Sequence, residues 1–266
     1  MLGAIAGDII GSVHEFSYNE DQDFELFVDS SSPTDDSILT TAIAQACLDG
    51  SSDYKSYILE AYELSESPKV EPPIGPTWGS GFNDWVMGGA NGLRDSFGNG
   101  SALRVSPVAW AFDKESDVIR HAELTAYNSH AHEEGIRGAQ ATAHCIWVAR
   151  MTKDPQAVRR VAQKYYRNLP ELEVIRREHV YNETCQGCVP ECIAIATRTQ
   201  SYEEAVRFAC SIRGDADTLA AIVGSISQAL WGVPSEIRKP ALALAKKYYP
   251  WIATTTRKFE SKFGIG

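Results

Sequence analysis

The sequence of 266 residues lacks the features of a membrane or nucleic-acid-binding protein. No run approaches the ~20 consecutive apolar residues that a membrane-spanning helix needs, so we expect no membrane partner. Basic residues are scarce, with 25 Lys and Arg against 35 Asp and Glu, and the formal net charge is −10. Because nucleic-acid binding requires clustered cations that neutralise phosphate, this balance argues against a nucleic-acid partner. An acidic surplus is instead suited to holding cations.

The N-terminal stretch MLGAIAGDIIGSV lacks the basic segment of a signal sequence, and Asp8 interrupts its apolar run. We therefore expect a cytoplasmic protein with reduced cysteines. Cys185, Cys188 and Cys192 form a C-x2-C-x3-C pattern, for which His179 is the nearby fourth candidate ligand of a zinc ion. The pattern runs into an apolar helical segment, which favours buried thiols over a zinc site.

Helical periodicity dominates the chain, and strand signals are weak throughout. Segment 66–100 differs, because it is rich in Gly, Pro, Asn and aromatic residues, and a loop of this length is usually functional. We predict an all-α fold, a single domain over residues 1–266 with long loops gathered on one face. The predicted helices are 2–13, 35–48, 53–65, 101–113, 115–127, 133–151, 154–168, 188–199, 201–212, 217–231 and 235–249.

The first predicted helix carries glycines at positions 3, 7 and 11. This spacing places them on one face of the helix, which then has no side chains. We expect another backbone to approach that face closely within a helical core.

Two short acidic clusters stand at the heads of predicted helices. Thr34, Asp35 and Asp36 open the first of these helices, and Asp215, Asp217 and Thr218 open the second. Helix capping explains one acidic or hydroxyl side chain at each head, and the others remain as uncompensated charge. Crowded carboxylates raise one another's pKa unless a cation neutralises them. All-oxygen ligands favour Mg, Mn or Ca over Zn.

Three weaker features accompany the acidic clusters. The turn Gly98-Asn99-Gly100-Ser101 precedes a helix and can present N–H groups to an anion, although taken alone it is better explained as an ordinary Asn-Gly turn with Ser101 as helix cap. His130 lies in a polar SHAHE segment that is either a loop or a substrate contact. Glu15 follows the glycine-spaced helix and is either a surface residue or an acid or base.

In this order, these features resemble the ADP-ribosylglycohydrolase family, which includes the dinitrogenase reductase-activating glycohydrolases. The resemblance covers nearly the whole chain, from Met1 to about Pro234, and its most specific part is the pair TDD and GDADT. The matching stretches are GAIAGDIIGSVHEF, PTDDSILTTAIA, FGNGSALRVSPVAWAF, SHAHEEGIRGAQATA, CVPECIAIA and SIRGDADTLAAIVGSISQALWGVP.

The resemblance implies a single compact orthogonal helical domain with long loops around a cleft that holds a binuclear centre of Mg or Mn ions. The implied metal ligands are Thr34, Asp35, Asp36, Asp215, Asp217 and Thr218. It also implies that Glu15 acts as acid, base or water-positioner, with Asp35 and Asp36 as further catalytic candidates. The substrate-binding residues would be Gly98, Asn99, Gly100 and Ser101 at the diphosphate and His130 at the ribose. The aromatic segment WGSGFNDW would shape the substrate mouth.

The sequence departs from the family pattern at a few positions. Arg213 stands where the family commonly has glycine and puts substrate preference most in doubt, because it can crowd the metal loop, pair with an acidic neighbour or reach a phosphate. Leu103 replaces a frequent methionine, and Ala131 and Glu133 replace prolines. None of these changes removes an implied ligand.

The resemblance implies metal-dependent hydrolysis that releases ADP-ribose from protein side chains, with arginine as the first candidate for the linkage. Serine-linked ADP-ribose and O-acetyl-ADP-ribose are alternative substrates. Rival functions are a two-metal phosphohydrolase and a non-catalytic ADP-ribose-binding or structural relative. The expected partners are ADP-ribose and ADP-ribosylated protein, and we expect a monomer.

Overall fold

A computed structural model describes residues 1–15 and 20–265. Phe16, which ends the first family-like stretch, lies outside the described residues. The described part contains fifteen helices and no strand, apart from an isolated antiparallel bridge between Gly98 and Thr184. None of these helices has the length and apolarity to cross a membrane. The predicted all-α fold is therefore confirmed.

The helices are numbered in chain order. They are α1 (Leu2–Gly11), α2 (Asp35–Asp49), α3 (Tyr54–Ser65), α4 (Ser80–Met87), α5 (Gly100–Leu103), α6 (Ser106–Ala111), α7 (Glu115–Tyr127), α8 (Glu133–Thr152), α9 (Pro155–Ala162), α10 (Leu172–Glu178), α11 (Cys185–Arg198), α12 (Tyr202–Cys210), α13 (Ala216–Trp231), α14 (Ser235–Tyr248) and α15 (Pro250–Phe263).

The glycine face of α1 packs directly on the backbone of α13. A Cβ atom on Gly3 would lie 2.3 Å from the carbonyl oxygen of Gly224, and one on Gly7 would lie 2.1 Å from that of Ala220. Only glycine permits so close an approach, as the spacing predicts. Both helices are buried along their whole described length, except for Trp231 at the end of α13. This contact joins the first helix to a helix that is more than two hundred residues later in the sequence, and it positions the start of α13.

The predicted helix over 101–113 is wrong, because the chain forms two short helices there. Pro107 lies in the first turn of α6. Proline lacks an N–H group and clashes with the carbonyl four residues earlier, and that residue is Leu103, where α5 ends. The break turns Arg104 into the interior, where it is completely buried.

Other boundaries differ because tertiary contacts override the local pattern. Helix α9 ends at Ala162 rather than at 168. Beyond its end, the Tyr165 hydroxyl forms a hydrogen bond with Nδ1 of His144 at 2.9 Å. Within the predicted loop 66–100, α4 forms around a stack of Trp78 on Phe82, with ring centroids 5.5 Å apart. Helices α10 and α15 are also absent from the predicted set.

Candidate active site

A cavity of about 480 Å³ opens where α2 and α13 begin. Asp35 and Asp36 from the start of α2 line it, together with Asp217 and Thr218 from the start of α13. The Thr218 hydroxyl donates a hydrogen bond to Oδ2 of Asp36 at 2.9 Å, across a separation of 182 positions in sequence. The two acidic clusters that the sequence singles out therefore meet in one place.

Carboxylates converge in two overlapping groups. Asp8, Asp36 and Asp217 form one group, and Glu15, Asp215 and Asp217 form the other. In each group, one oxygen from every carboxylate lies within 4.8 Å of the others, and Asp217 belongs to both. A shared carboxylate between two oxygen-rich groups is the donor set that hard divalent cations prefer.

The electrostatics show that these carboxylates lack a counter-charge within the described residues. Burial, then the charges of neighbouring carboxylates, hold the pKa values of Asp36 and Asp217 well above the usual range. Burial raises the pKa of Glu15 to about 7, helped by Asp215 and Asp35. Bound cations would remove this repulsion, so the residues present fit a metal centre.

Asp8 is a member of the centre that the sequence reasoning missed. It is fully buried within α1. Its carboxylate accepts a hydrogen bond from the Thr34 hydroxyl at 2.6 Å and from the Ser37 backbone N–H at 3.1 Å. Burial raises the pKa of Asp8 to about 6. Asp8 therefore holds the first turn of α2 against α1, and its position as the one charge in an apolar helix was the available signal.

The predicted ligands Thr34 and Asp35 are placed differently from Asp36. The Thr34 oxygen caps α2, accepting from the Asp36 backbone N–H at 3.3 Å while donating to Asp8. Asp35 is half-buried on the cavity wall, and its Oδ1 accepts from the Thr77 backbone N–H at 2.9 Å. Asp35 lies outside both convergent carboxylate groups.

The predicted phosphate loop lies beside the acidic centre. The side-chain amide of Asn99 donates to Oδ2 of Asp215 at 2.7 Å and ties the loop to the head of α13. Gly98, Asn99 and Gly100 line the cavity. The Ser101 hydroxyl turns away and donates to the carbonyl oxygen of Gly135 at 2.7 Å.

His130 packs its ring against this loop. A Cβ atom on Gly100 would lie 3.1 Å from Nε2 of His130, so a side chain at this position would press on the ring. The Nδ1 atom is 2.9 Å from the Ser129 hydroxyl. Burial, then the charges of Arg104 and Arg94, hold the pKa of His130 well below its usual value. The ring is therefore neutral and lines the cavity as a hydrogen-bonding group.

Two arginines that the sequence analysis did not select line the cavity near His130. Arg104 donates to the Thr125 carbonyl oxygen at 2.9 Å and to the Ser129 hydroxyl at 2.6 Å. Its Nε and Nη1 atoms are buried without a hydrogen-bond partner. Arg94 donates to the Ser129 carbonyl oxygen at 3.4 Å, and its guanidinium lies against Gly81 of α4. Neither arginine takes part in an ion pair among the described residues.

Arg213 is exposed and does not line the cavity. The three cysteines of the C-x2-C-x3-C pattern are buried free thiols, as expected. Burial raises the pKa of Cys185 to about 12, so this sulfur stays protonated at neutral pH. The aromatic segment predicted at the mouth contributes Trp78 and Phe82 to the lining.

Comparison with known proteins agrees with this fold and acidic cleft. The profile of the ADP-ribosylglycohydrolase family matches residues 1–266. The chain belongs to the ADP-ribosylglycohydrolase family and is a hydrolase of that class, which confirms the resemblance seen in the sequence.

Individual relatives are distant. ADP-ribosylhydrolase ARH3 of Bos taurus is 23% identical over 316 residues, covering 88% of this chain and 84% of that protein. The Homo sapiens ARH3 is 23% identical over 311 residues, with the same coverage. A solved structure described as an ADP-ribosylglycohydrolase-related protein complex shares the fold, with a TM-score of 0.67, 18% identity and coverage of 97% of this chain and 95% of that one.

Proposed function

We propose that the protein hydrolyses the bond between ADP-ribose and a modified protein side chain, with arginine as the preferred linkage, and that it uses two Mg or Mn ions. The proposed metal ligands are Thr34, Asp35, Asp36, Asp215, Asp217 and Thr218, and Asp8 extends this set. The names of the ARH3 relatives, which describe ADP-ribosylhydrolases, support the reaction class.

The observation that carries this proposal is that one cavity is lined by both acidic and basic side chains. Its lining includes the crowded carboxylates of Asp36, Asp215 and Asp217, and also Arg94 and Arg104, neither of which forms an ion pair among the described residues. A ligand that fits this lining carries an anionic group for the arginines and hydroxyl groups for the metal-neutralised carboxylates. ADP-ribose carries both, because its diphosphate is joined to a ribose with free hydroxyl groups. The loop Gly98–Ser101, which contacts Asp215 through Asn99 and His130 through Gly100, is proposed to bind it together with His130.

Metal ions bound at the carboxylates would supply Lewis acidity and would orient ribose hydroxyls and water. The other steps belong to side chains of this chain. Glu15 is proposed to transfer protons, because it lines the cavity and one of its carboxylate oxygens lies within 4.8 Å of those of Asp215 and Asp217. Asp35 and Asp36 are the next candidates for this role.

In the proposed reaction, the bond from the anomeric carbon to the side-chain nitrogen breaks, and its electron pair stays with the nitrogen. The water oxygen forms the new bond to carbon. One water proton passes to a carboxylate, and the leaving guanidine takes up a proton. Carboxylates beside the anomeric carbon stabilise the positive charge that develops there.

The direct test incubates the protein with arginine-linked, serine-linked and O-acetyl-linked ADP-ribose in Mg²⁺, Mn²⁺ or EDTA. We expect metal-dependent release of free ADP-ribose. Release of AMP would identify a phosphohydrolase instead. No turnover of any of the three substrates in the presence of metal would reject the hydrolase proposal and favour a non-catalytic binder.

A further inference from the structure

A short segment before α11 forms another part of the cavity wall. Tyr181 and Glu183 from this segment line the cavity. The main chain fixes their position, because the Asn99 backbone N–H donates to the Glu183 carbonyl oxygen at 2.8 Å and Thr184 forms the bridge with Gly98. The pair is therefore tied to the loop whose Asn99 side chain binds Asp215.

Glu183 brings a negative charge to the cavity that the carboxylate centre does not use. Its charge contributes to the raised pKa values of Glu15 and Asp215, so it faces the same space. It belongs to neither convergent carboxylate group. No described ion pair includes Glu183, and its side-chain hydrogen bond comes from the hydroxyl of Tyr181.

Tyr181 adds an aromatic surface beside this carboxylate. Tyr181 is 53% exposed although it lines the cavity, so it is accessible to a ligand at the opening. A carboxylate next to a tyrosine ring suits a planar cation. A guanidinium donates paired hydrogen bonds to the carboxylate and can stack on the ring.

We propose that Glu183 and Tyr181 recognise the leaving group and select a guanidinium, so that arginine-linked ADP-ribose is preferred to serine-linked ADP-ribose. This inference rests on the proposed function. The neutral ether oxygen of a serine linkage gives Glu183 no cation to bind, whereas a guanidinium compensates its charge. Substrate choice is thereby assigned to Glu183 and Tyr181 rather than to the exposed Arg213.

The test measures kcat/KM for release of ADP-ribose from arginine-linked and serine-linked peptides in the presence of Mn²⁺. The variants are Glu183→Gln and Tyr181→Leu, with Glu178→Gln on α10 and Tyr127→Leu on α7 as controls outside the cavity. We expect wild type to prefer the arginine linkage. Glu183→Gln should lower kcat/KM for that linkage at least about tenfold, as for loss of a charge-assisted hydrogen bond, while turnover of the serine linkage stays nearly unchanged.

Inhibition by methylguanidine gives a readout that a change in folding would not imitate. It should weaken in both cavity variants, whereas the Mn²⁺ affinity and both controls stay at the wild-type level. Equal losses on the two linkages or an unchanged ratio would overturn the inference while leaving the proposed function standing. A wild-type preference for serine would overturn the inference and the proposed arginine preference, and would leave only the metal-dependent release of ADP-ribose. Failure of wild type to release ADP-ribose from any linkage would reject both.

Discussion

Gly11 of α1 lies against the backbone of Asp217, so that a Cβ atom on Gly11 would come within 2.5 Å of the Asp217 Cα atom. Asp217 is the carboxylate common to both convergent groups. The absence of a side chain at position 11 therefore sets how closely the head of α13 approaches the rest of the centre.

The first prediction concerns Gly11→Ala. The added methyl group must displace backbone at Ala216 and Asp217, at a cost typical of overpacking, about 1–3 kcal/mol of unfolding free energy. We expect the Mn²⁺ affinity, measured by calorimetry, to fall as well. Gly3→Ala is the matched control, because its methyl group would meet Gly224 farther along α13. Equal metal affinities in the two variants would contradict the positioning role of Gly11.

The second prediction concerns Asp217→Asn, which removes the shared charge but keeps the side-chain shape. We expect metal-dependent stabilisation and ADP-ribose release to be lost. In EDTA, the same variant should be more stable than wild type by about 1 kcal/mol, because carboxylate repulsion is relieved. Thermal unfolding with and without metal measures both effects, with the exposed Asp29→Asn as control. Wild-type activity in Asp217→Asn would remove the two-metal proposal.

The third prediction concerns pH. The pKa values of Glu15 and Asp35 are raised to about 7 in the folded protein. Without metal, the folded state keeps protons that the unfolded chain has lost, so these carboxyls lower stability as pH rises from their unfolded pKa values, about 4, towards about 7.

Bound cations compete with those protons, so the rise in Tm produced by Mn²⁺ should grow between about pH 5 and about pH 8. Differential scanning fluorimetry across this range, with Mn²⁺ or EDTA, makes the measurement. A metal-induced rise in Tm that is constant with pH would argue that the carboxyls are already ionised without metal.

The fourth prediction concerns Arg94, which lines the cavity. Arg94→Gln removes a charge near His130, and we expect KM for ADP-ribosylated substrates to rise about tenfold or more, as for a lost charge-assisted contact with phosphate. Arg94→Lys should recover part of the loss, because it keeps the charge but not the flat guanidinium that lies on Gly81. Arg257→Gln on α15 serves as the surface control. If KM is unchanged in Arg94→Gln, the diphosphate lies elsewhere.

The two acidic clusters of the cavity can be recognised in the sequence because the members of each cluster are neighbours along the chain. Thr34 to Asp36 and Asp215 to Thr218 crowd more charge into a helix head than capping explains. Asp8 and Arg104 are single charges within apolar segments, and burial of such charges was a readable but unused signal. Helix periodicity likewise locates α7 and α13 almost to the residue.

Other parts of the site leave no local pattern. Arg94, Tyr181 and Glu183 lie in irregular segments, and their place on the cavity wall follows from long-range contacts. The bridge between Gly98 and Thr184 is one such contact. The split at Pro107 was readable from proline chemistry, whereas α15 is held by tertiary burial, with Phe259 completely enclosed. The local spacing of apolar residues does not reveal such packing.

The contact between α1 and α13 has a consequence for how the protein folds during synthesis. Its two sides lie near opposite ends of the chain, so a ribosome must synthesise most of the polypeptide before Asp217 can join Asp8. Until then, the glycine face of α1 has nothing to cover it. We expect metal loading to occur late in biosynthesis, when the centre is complete, and truncation within α13 to leave a nascent chain that depends on chaperones.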